Sequence, residues 1–453
     1  MSMSSLHKCL KRSLLFLLTW SCFASASCSL LAPPYQEAPH EISLADGSVH
    51  IDGQLADIQD AATQDEPQKE SLPEQKVERF TSDCDCVKTI YTFDQTSGYR
   101  DGNAEQARFG STSSVALDPD NKVLYIADNK NKRVRRLDLK TGVVSTLAGS
   151  GEQAPEKGNK YKDGPGHQAT FFQLWSIAFD TKRKRLYVAE GYSCRVRAID
   201  LQGVVSTILP SCGEKGDFED PYDQTIPDYG NISMGYDGHL YQLGIRNALR
   251  RINFEIKRVE YITRRGSGSG GDVTDGPIEK ASFPYAKYFT MTPDGSAWLA
   301  PGGNATTIAA KSGGYRIRKI DIPHNMVSTV AGNGEPDQVD GPKEKSRTFM
   351  VYGLAYSGSY IYFFDNYRMG GLGEKPKPHY GYYLRRLDVS TNEVVTLGGA
   401  SVASGIKRGE IRDGSIKEAT YPYSSNIVAD NDGNLYFLER RSIRRIKTNC
   451  QCK

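Results

Sequence analysis

One phrase recurs along this chain. It reads DGNAEQARF from Asp101, DGPGHQATF from Asp163, DGPIEKASF from Asp275, DGPKEKSRTF from Asp340 and DGSIKEATY from Asp413, with a weaker copy, DPYDQTI, from Asp220. Each copy is followed by an apolar run, a turn such as DPDNK or TPDG, and an apolar strand (VLYIAD, RLYVAE, HLYQLG, SAWLAP, YIYFFD, NLYFLE). A basic-apolar strand (RVRRLD, RVRAID, LRRIN, RIRKID, LRRLD, IRRIK) comes next, and a last strand such as VVSTLAG or VVTLGG closes the unit. A unit repeated at a fixed period of about fifty residues buries its apolar faces only by stacking on its neighbours. Four short strands between Gly, Asp, Asn and Pro turns predict one antiparallel sheet per repeat. Six such sheets packed radially make an all-β, six-bladed β-propeller.

The wording also resembles a known repeat. YIADNKNKRVRRLD (Tyr125 to Asp138), LYVAEGYSCRVRAID and the flanking DG…ARF and VVSTLAG are similar to NHL repeats, across roughly residues 85 to 453. The resemblance is weakest in the third unit, where Gly244 takes the place of Asp128. It implies a six-bladed propeller and says almost nothing about function, because propellers host many activities.

The last unit ends after SIRRIKTNCQCK and lacks its outer strand, whereas VKTIYTF, just after Cys84-Asp85-Cys86, fits that strand. The N-terminal strand is therefore expected to complete the last blade and close the ring. Antiparallel pairing that sets Cys86 opposite Cys450 sets Cys84 opposite Cys452, within disulfide reach. The two Cys-x-Cys pairs could instead hold zinc, but structural zinc sites usually space their cysteines by two or more residues. Cys194 and Cys212, at opposite ends of a strand hairpin, are expected to form a third bridge.

Ahead of the repeats lie two other segments. Lys8, Lys11 and Arg12 precede SLLFLLTWSCFASASC, a basic start and short apolar run that read as a secretory signal over residues 1–27. An ordinary small-x-small cleavage site at Ala24-Ser25-Ala26 competes with acylation of Cys28, whose lipobox carries Ser25 where leucine is usual. Lipidation would also leave the six later cysteines an even set. Residues 28–80 are acidic and poor in apolar side chains, the composition of a disordered tether. The expected setting is export: a bacterial outer-membrane lipoprotein, a periplasmic or cell-surface protein, or a secreted one, meeting a membrane only through a lipid. From Thr81 onward 51 basic residues face 43 acidic ones, and the whole chain carries +3, too little to imply nucleic acid.

Function is less legible. Two loops on one face lengthen, PGGNATTIAAKSGGY in the fourth unit and NYRMGGLGEKPKPHYG in the fifth, and long loops on a rigid scaffold are where binding residues gather. Just before the inner strands lie Trp175, Tyr229, Tyr285, Tyr288, Tyr352 and Tyr423, beside the amides Asn231 and Asn426. These eight are the candidate ligand-binding residues, although aromatics there can equally wedge between blades. Some propeller hydrolases hold calcium at the inner-strand starts; the matching positions, Ser114, Ser176, Asn231, Tyr288, Gly353 and Asn426, offer two amides and no carboxylate, a poor set for a hard cation. His167, His239, His324 and His379 occupy unrelated repeat positions. Neither a metal, a cofactor nor a catalytic residue is expected. The reading is a monomeric, non-enzymatic propeller binding a peptide, protein or glycan; the alternative is a channel-site hydrolase or lyase.

Overall fold

The structure, a computed structural model, describes residues 86–92, 98–157, 160–211, 214–220, 230–244, 248–263, 273–281, 286–301, 315–366, 381–401, 410–422, 424–439 and 442–450. All lie in one compact unit, Val77–Lys453. The signal, tether and Cys28 fall outside them, as do Cys84, Cys212 and Cys452.

Six antiparallel sheets succeed one another along the chain, and in blades 1, 2, 3 and 5 the strands are hydrogen-bonded in sequence order from inner to outer. Blade 1 is β2 (Thr112–Asp118), β3 (Val123–Asp128), β4 (Arg133–Asp138) and β5 (Val144–Ala148). Blade 2 is β6 (Leu174–Asp180), β7 (Arg185–Glu190), β8 (Val196–Asp200) and β9 (Val205–Leu209). Blade 3 is β10 (Gly230–Met234), β11 (Leu240–Gly244), β12 (Leu249–Asn253) and β13 (Arg258–Tyr261). Blade 4 is β15 (Ala286–Met291), β16 (Ala297–Pro301), β17 (Ile317–Asp321) and β18 (Met326–Ala331), with the two-residue β14 (Gly276–Pro277) added outside. Blade 5 is β19 (Val351–Ser357), β20 (Tyr360–Asn366), β21 (Gly381–Asp388) and β22 (Val394–Ser401). Blade 6 takes β23 (Ser425–Ala429), β24 (Asn434–Glu439) and β25 (Ser442–Lys447) from the end of the chain, and its outer strand is β1 (Val87–Thr92).

Alternation of apolar side chains on both faces of each blade builds cores between neighbours. Tyr125 stacks on Phe179 between blades 1 and 2, Tyr187 on Phe254 between 2 and 3, and Phe364 meets Phe437 between 5 and 6. Across the closure Tyr91 of β1 meets Phe109 of the first repeat edge to face at 5.3 Å.

One polar constellation is rebuilt in five blades. The aspartate of the DG phrase accepts from a third-strand arginine and from an outer-strand threonine N–H: Asp101 with Arg135 and Thr146, Asp163 with Arg197 and Thr207, Asp275 with Arg318 and Thr329, Asp340 with Arg385 and Thr396. In blade 6 the threonine is Thr89, so Asp413 ties Arg444 of the C-terminal part to the N-terminal strand. The arginines thus pair within their own repeat. The basic pairs RR, RK and RA would suit a bond to an acid of the next blade, but the DG loop folds back over the outer edge of the blade it precedes and supplies the acid there.

Cys86 and Cys450 are bonded, Cα to Cα 5.5 Å. They are not opposed strand residues, however. The register pairs Val87 with Ile446 and the Cys86 carbonyl accepts from Lys447 N–H; β25 then ends, and a turn in which Cys450 N–H donates to Lys447 C=O brings Cys450 back over Cys86. Counting residues along straight strands could not show that turn. Cys194 is also in a disulfide.

Candidate channel-mouth site

The six inner strands β2, β6, β10, β15, β19 and β23 surround a central cavity of about 240 Å³. Their first residues face the side that carries the DG loops, called the upper face below. Second-strand ends brace this side. Asp128 accepts from Gly110 N–H, Glu190 from Phe172 N–H, and Asp365 from Phe349 and Met350 N–H, each just before an inner strand begins. The same carboxylates pair with the buried Arg135, Arg197 and Arg385. These acids are structural supports of the mouth.

Every inner strand except β10 begins with a register shift: at Thr112/Ser114, Leu174/Ser176, Ala286/Tyr288, Tyr352/Ala355 and Ser425/Ile427. Such bulges re-aim a side chain beside a site. Gly353 and Asn426 take them with φ of 63° and 41°, the left-handed region open to glycine and tolerated by asparagine. A Cβ on Gly353 would also meet Ile427 Cγ2 at 2.9 Å.

Adjacent inner strands are stitched through this ring. Ile177 N–H donates to Ser114 Oγ, Ile232 N–H to Ser176 Oγ, the Asn231 amide to Lys287 C=O at 2.5 Å, and the Asn426 amide to Ser113 C=O at 2.6 Å. Between blades 4 and 5 the contact is aromatic: the Tyr288 and Tyr352 rings lie 6.1 Å apart. Burial pushes the Tyr288 phenol well above its ordinary range, so it is a neutral hydrogen-bonding group.

Of the eight candidates, Asn231, Tyr288 and Asn426 line the cavity, joined by Ser114, Ser176 and Gly353. Tyr352 packs on Tyr288 at the rim. Trp175 occupies the blade 2 bulge, half-buried, with its ring against Gly191, where a Cβ would meet Cε3 at 3.2 Å. Tyr229, Tyr285 and Tyr423, and the long loops 302–314 and 367–380, lie outside the described residues. Two features escaped the sequence. Lys287 sits at the blade 4 bulge, and Tyr236 of the β10–β11 turn meets Tyr356 of blade 5 edge to face at 6.3 Å. The second contact reaches past blade 4 and narrows the lower end of the channel. Below the ring the lining mixes apolar side chains, Leu117, Phe179, Ile232, Leu354 and Ile427 among them, with Ser233 and Thr290, and its exposed surface is mostly polar. No carboxylate lines the cavity among the described residues, and no group of three His, Cys, Asp or Glu there could hold a metal ion.

Fold and repeat together define a six-bladed β-propeller of NHL-type repeats. No known family profile matches the chain. It is 28% identical over 232 residues to NHL repeat-containing protein 2 of Bos taurus, covering 48% of this chain and 30% of that protein. It is 23% identical over 276 residues to the chloroplastic protein SUPPRESSOR OF QUENCHING 1 of Arabidopsis thaliana, covering 57% and 24%. The chain thus spans less than a third of the length of these curated relatives. Among solved structures, a protein of unknown function from Bacteroides thetaiotaomicron superposes with a TM-score of 0.55 at 17% identity, covering 80% of this chain and 75% of that one. This likeness speaks for the fold alone.

Proposed function

We propose that this propeller is a binding protein that takes a peptide, protein segment or glycan at the upper mouth of its channel, without turning it over. The observation that carries the reading is the ring itself. Five of the six strand starts bring neutral side-chain groups to one cavity, the Asn231 and Asn426 amides, the Ser114 and Ser176 hydroxyls and the Tyr288 phenol, placed polar groups of the kind that fix a ligand's orientation. Among the described residues the ring carries no acid–base pair, and its serine hydroxyls and amides already hold neighbouring strands. Export, with Cys28 acylated and residues 28–80 as the tether, belongs to the same proposal and rests on the basic and apolar N-terminal run.

The test is a panel of short peptides and oligosaccharides screened by thermal shift, with each hit titrated calorimetrically against wild type and Tyr288→Ala. A hit that weakens at least tenfold in the variant and is recovered chemically unchanged supports the reading. Hits indifferent to Tyr288 move the site elsewhere, and a cleaved probe favours the hydrolase or lyase alternative. For anchorage, Cys28→Ala should release the protein into the soluble exported fraction; equal membrane retention contradicts acylation.

A further inference from the structure

Lys287 is the mouth residue that structural duty does not explain. Its carbonyl serves the ring by accepting from Asn231, but its side chain is exposed at the bulge between Ala286 and Tyr288. The corresponding bulge residues in the other blades, Ser113, Trp175, Gly353 and Asn426, are uncharged. Nζ lies 5.5 Å from the centroid of the Tyr288 ring, and no ion pair to it forms among the described residues. Two arginines of this face are engaged: Arg133 donates to Ser150 C=O, and Arg195 pairs with Glu190.

Lys287 is exposed beside the cavity-lining Tyr288, and partial desolvation lowers its pKa. A cation without an ion pair that has lost part of its hydration is costly, and an incoming anion relieves that cost. One ammonium among neutral donors suits a single negative charge; a phosphate dianion would call for more cations or a guanidinium fork. We propose that Lys287 receives the carboxylate of a small acidic ligand whose body lies against the Tyr288 and Tyr352 rings, an inference that rests on the channel mouth being the binding site.

A uronic-acid sugar and a peptide C-terminus both offer such a group, and two probe pairs separate them: trigalacturonate against its methyl ester, and a tripeptide with a free C-terminus against its amide. Full-length protein is treated with an amine-acetylating reagent with and without each probe, and acetylation at Lys287 is read by mass spectrometry. Lys287 should be modified in the free protein and protected several-fold by the free acid of one pair but not by its neutral partner. Lys287→Met should weaken that acid at least tenfold while Lys287→Arg stays within about threefold. Equal modification of Lys287 at saturating acid overturns the proposal, as does equal affinity for acid and neutral forms. Neutral probes that bind and are lost in Tyr288→Ala would leave the mouth as the site while removing the carboxylate. If neither member of either pair binds, the proposal falls whatever other ligands the mouth takes.

Discussion

The buried arginines of the third strands set the energetic stakes for single residues. Arg385 and Asp365 are both fully buried, 2.6 Å apart, and Arg385 also donates to the Arg347 and Val339 carbonyls. Burial pushes the Asp365 carboxyl up against the pull of Arg385, the mark of a pair whose desolvation is expensive. Breaking such a pair is far worse than never having built it, because one charge stays buried. Asp365→Asn is therefore expected to destabilise by about 3–5 kcal/mol in denaturant unfolding. Asp120→Asn, which removes the exposed bridge to Lys184, should cost less than about 1 kcal/mol. Comparable losses at the two sites would contradict the supporting role of the second-strand acids. Asp294 gives a pH-dependent counterpart. Its partial burial is outweighed by hydrogen bonds from Thr292, Lys319 and Ser296, which hold its carboxyl at about 2 rather than 3.8. A depressed native pKa contributes stability above the unfolded value and loses it as pH falls toward 2. Wild type and Asp294→Asn should thus differ in melting temperature at pH 6 and converge between pH 4 and 2; a constant difference would mean the carboxylate's charge is irrelevant.

At the scale of the element, β1 is the one strand that reaches its blade from the other end of the chain. It is held by its ladder with β25, by the Asp413 contacts of Thr89, and by the disulfide to Cys450 across 364 residues. For a loop that long, chain-entropy bookkeeping gives an upper figure on the order of 5 kcal/mol. Cys86→Ser should lower the melting temperature and promote aggregation through the uncovered edge of β25, with Thr89→Val adding to both. A Cys86→Ser protein that melts and stays in solution like wild type would show that the ladder alone closes the ring. The closure was readable in sequence because the missing VVSTLAG strand and the surplus VKTIYTF strand are complementary. The turn at 447–450 was not, since nothing in TNCQCK distinguishes a continued strand from a reversal. The bulges were equally hidden: TSS, LWS, AKY, YGL and SNI have no residue type common to all five, and only the ladder reveals that Lys287 is the extra residue. Blade 3 shows the converse. Gly244 replaces the usual acid, yet Gln242, two residues earlier on the same face, accepts from Arg250 Nε and Nη2. The sequence registered the loss of the acid but not its replacement.

For the whole molecule, closure and binding are linked through the ring of inner strands. Asn426 of blade 6 donates to Ser113 of blade 1, so the mouth is complete only when the two ends of the propeller meet. The repeat fixed which residues start the inner strands, and six of those positions do line one cavity; which of them would meet a ligand depends on bulges and on loops outside the described residues. The central claim is that ligand enters at the upper mouth, and hydrogen–deuterium exchange of the full chain with a hit from the panel tests it most directly. Slowed exchange is expected at residues 112–114, 174–176, 230–232, 286–288, 351–353 and 425–427, with the lower turns at 119–122, 235–239 and 430–433 unchanged. Protection confined to those lower turns, or to the outer strands β5, β9 and β13, would contradict it.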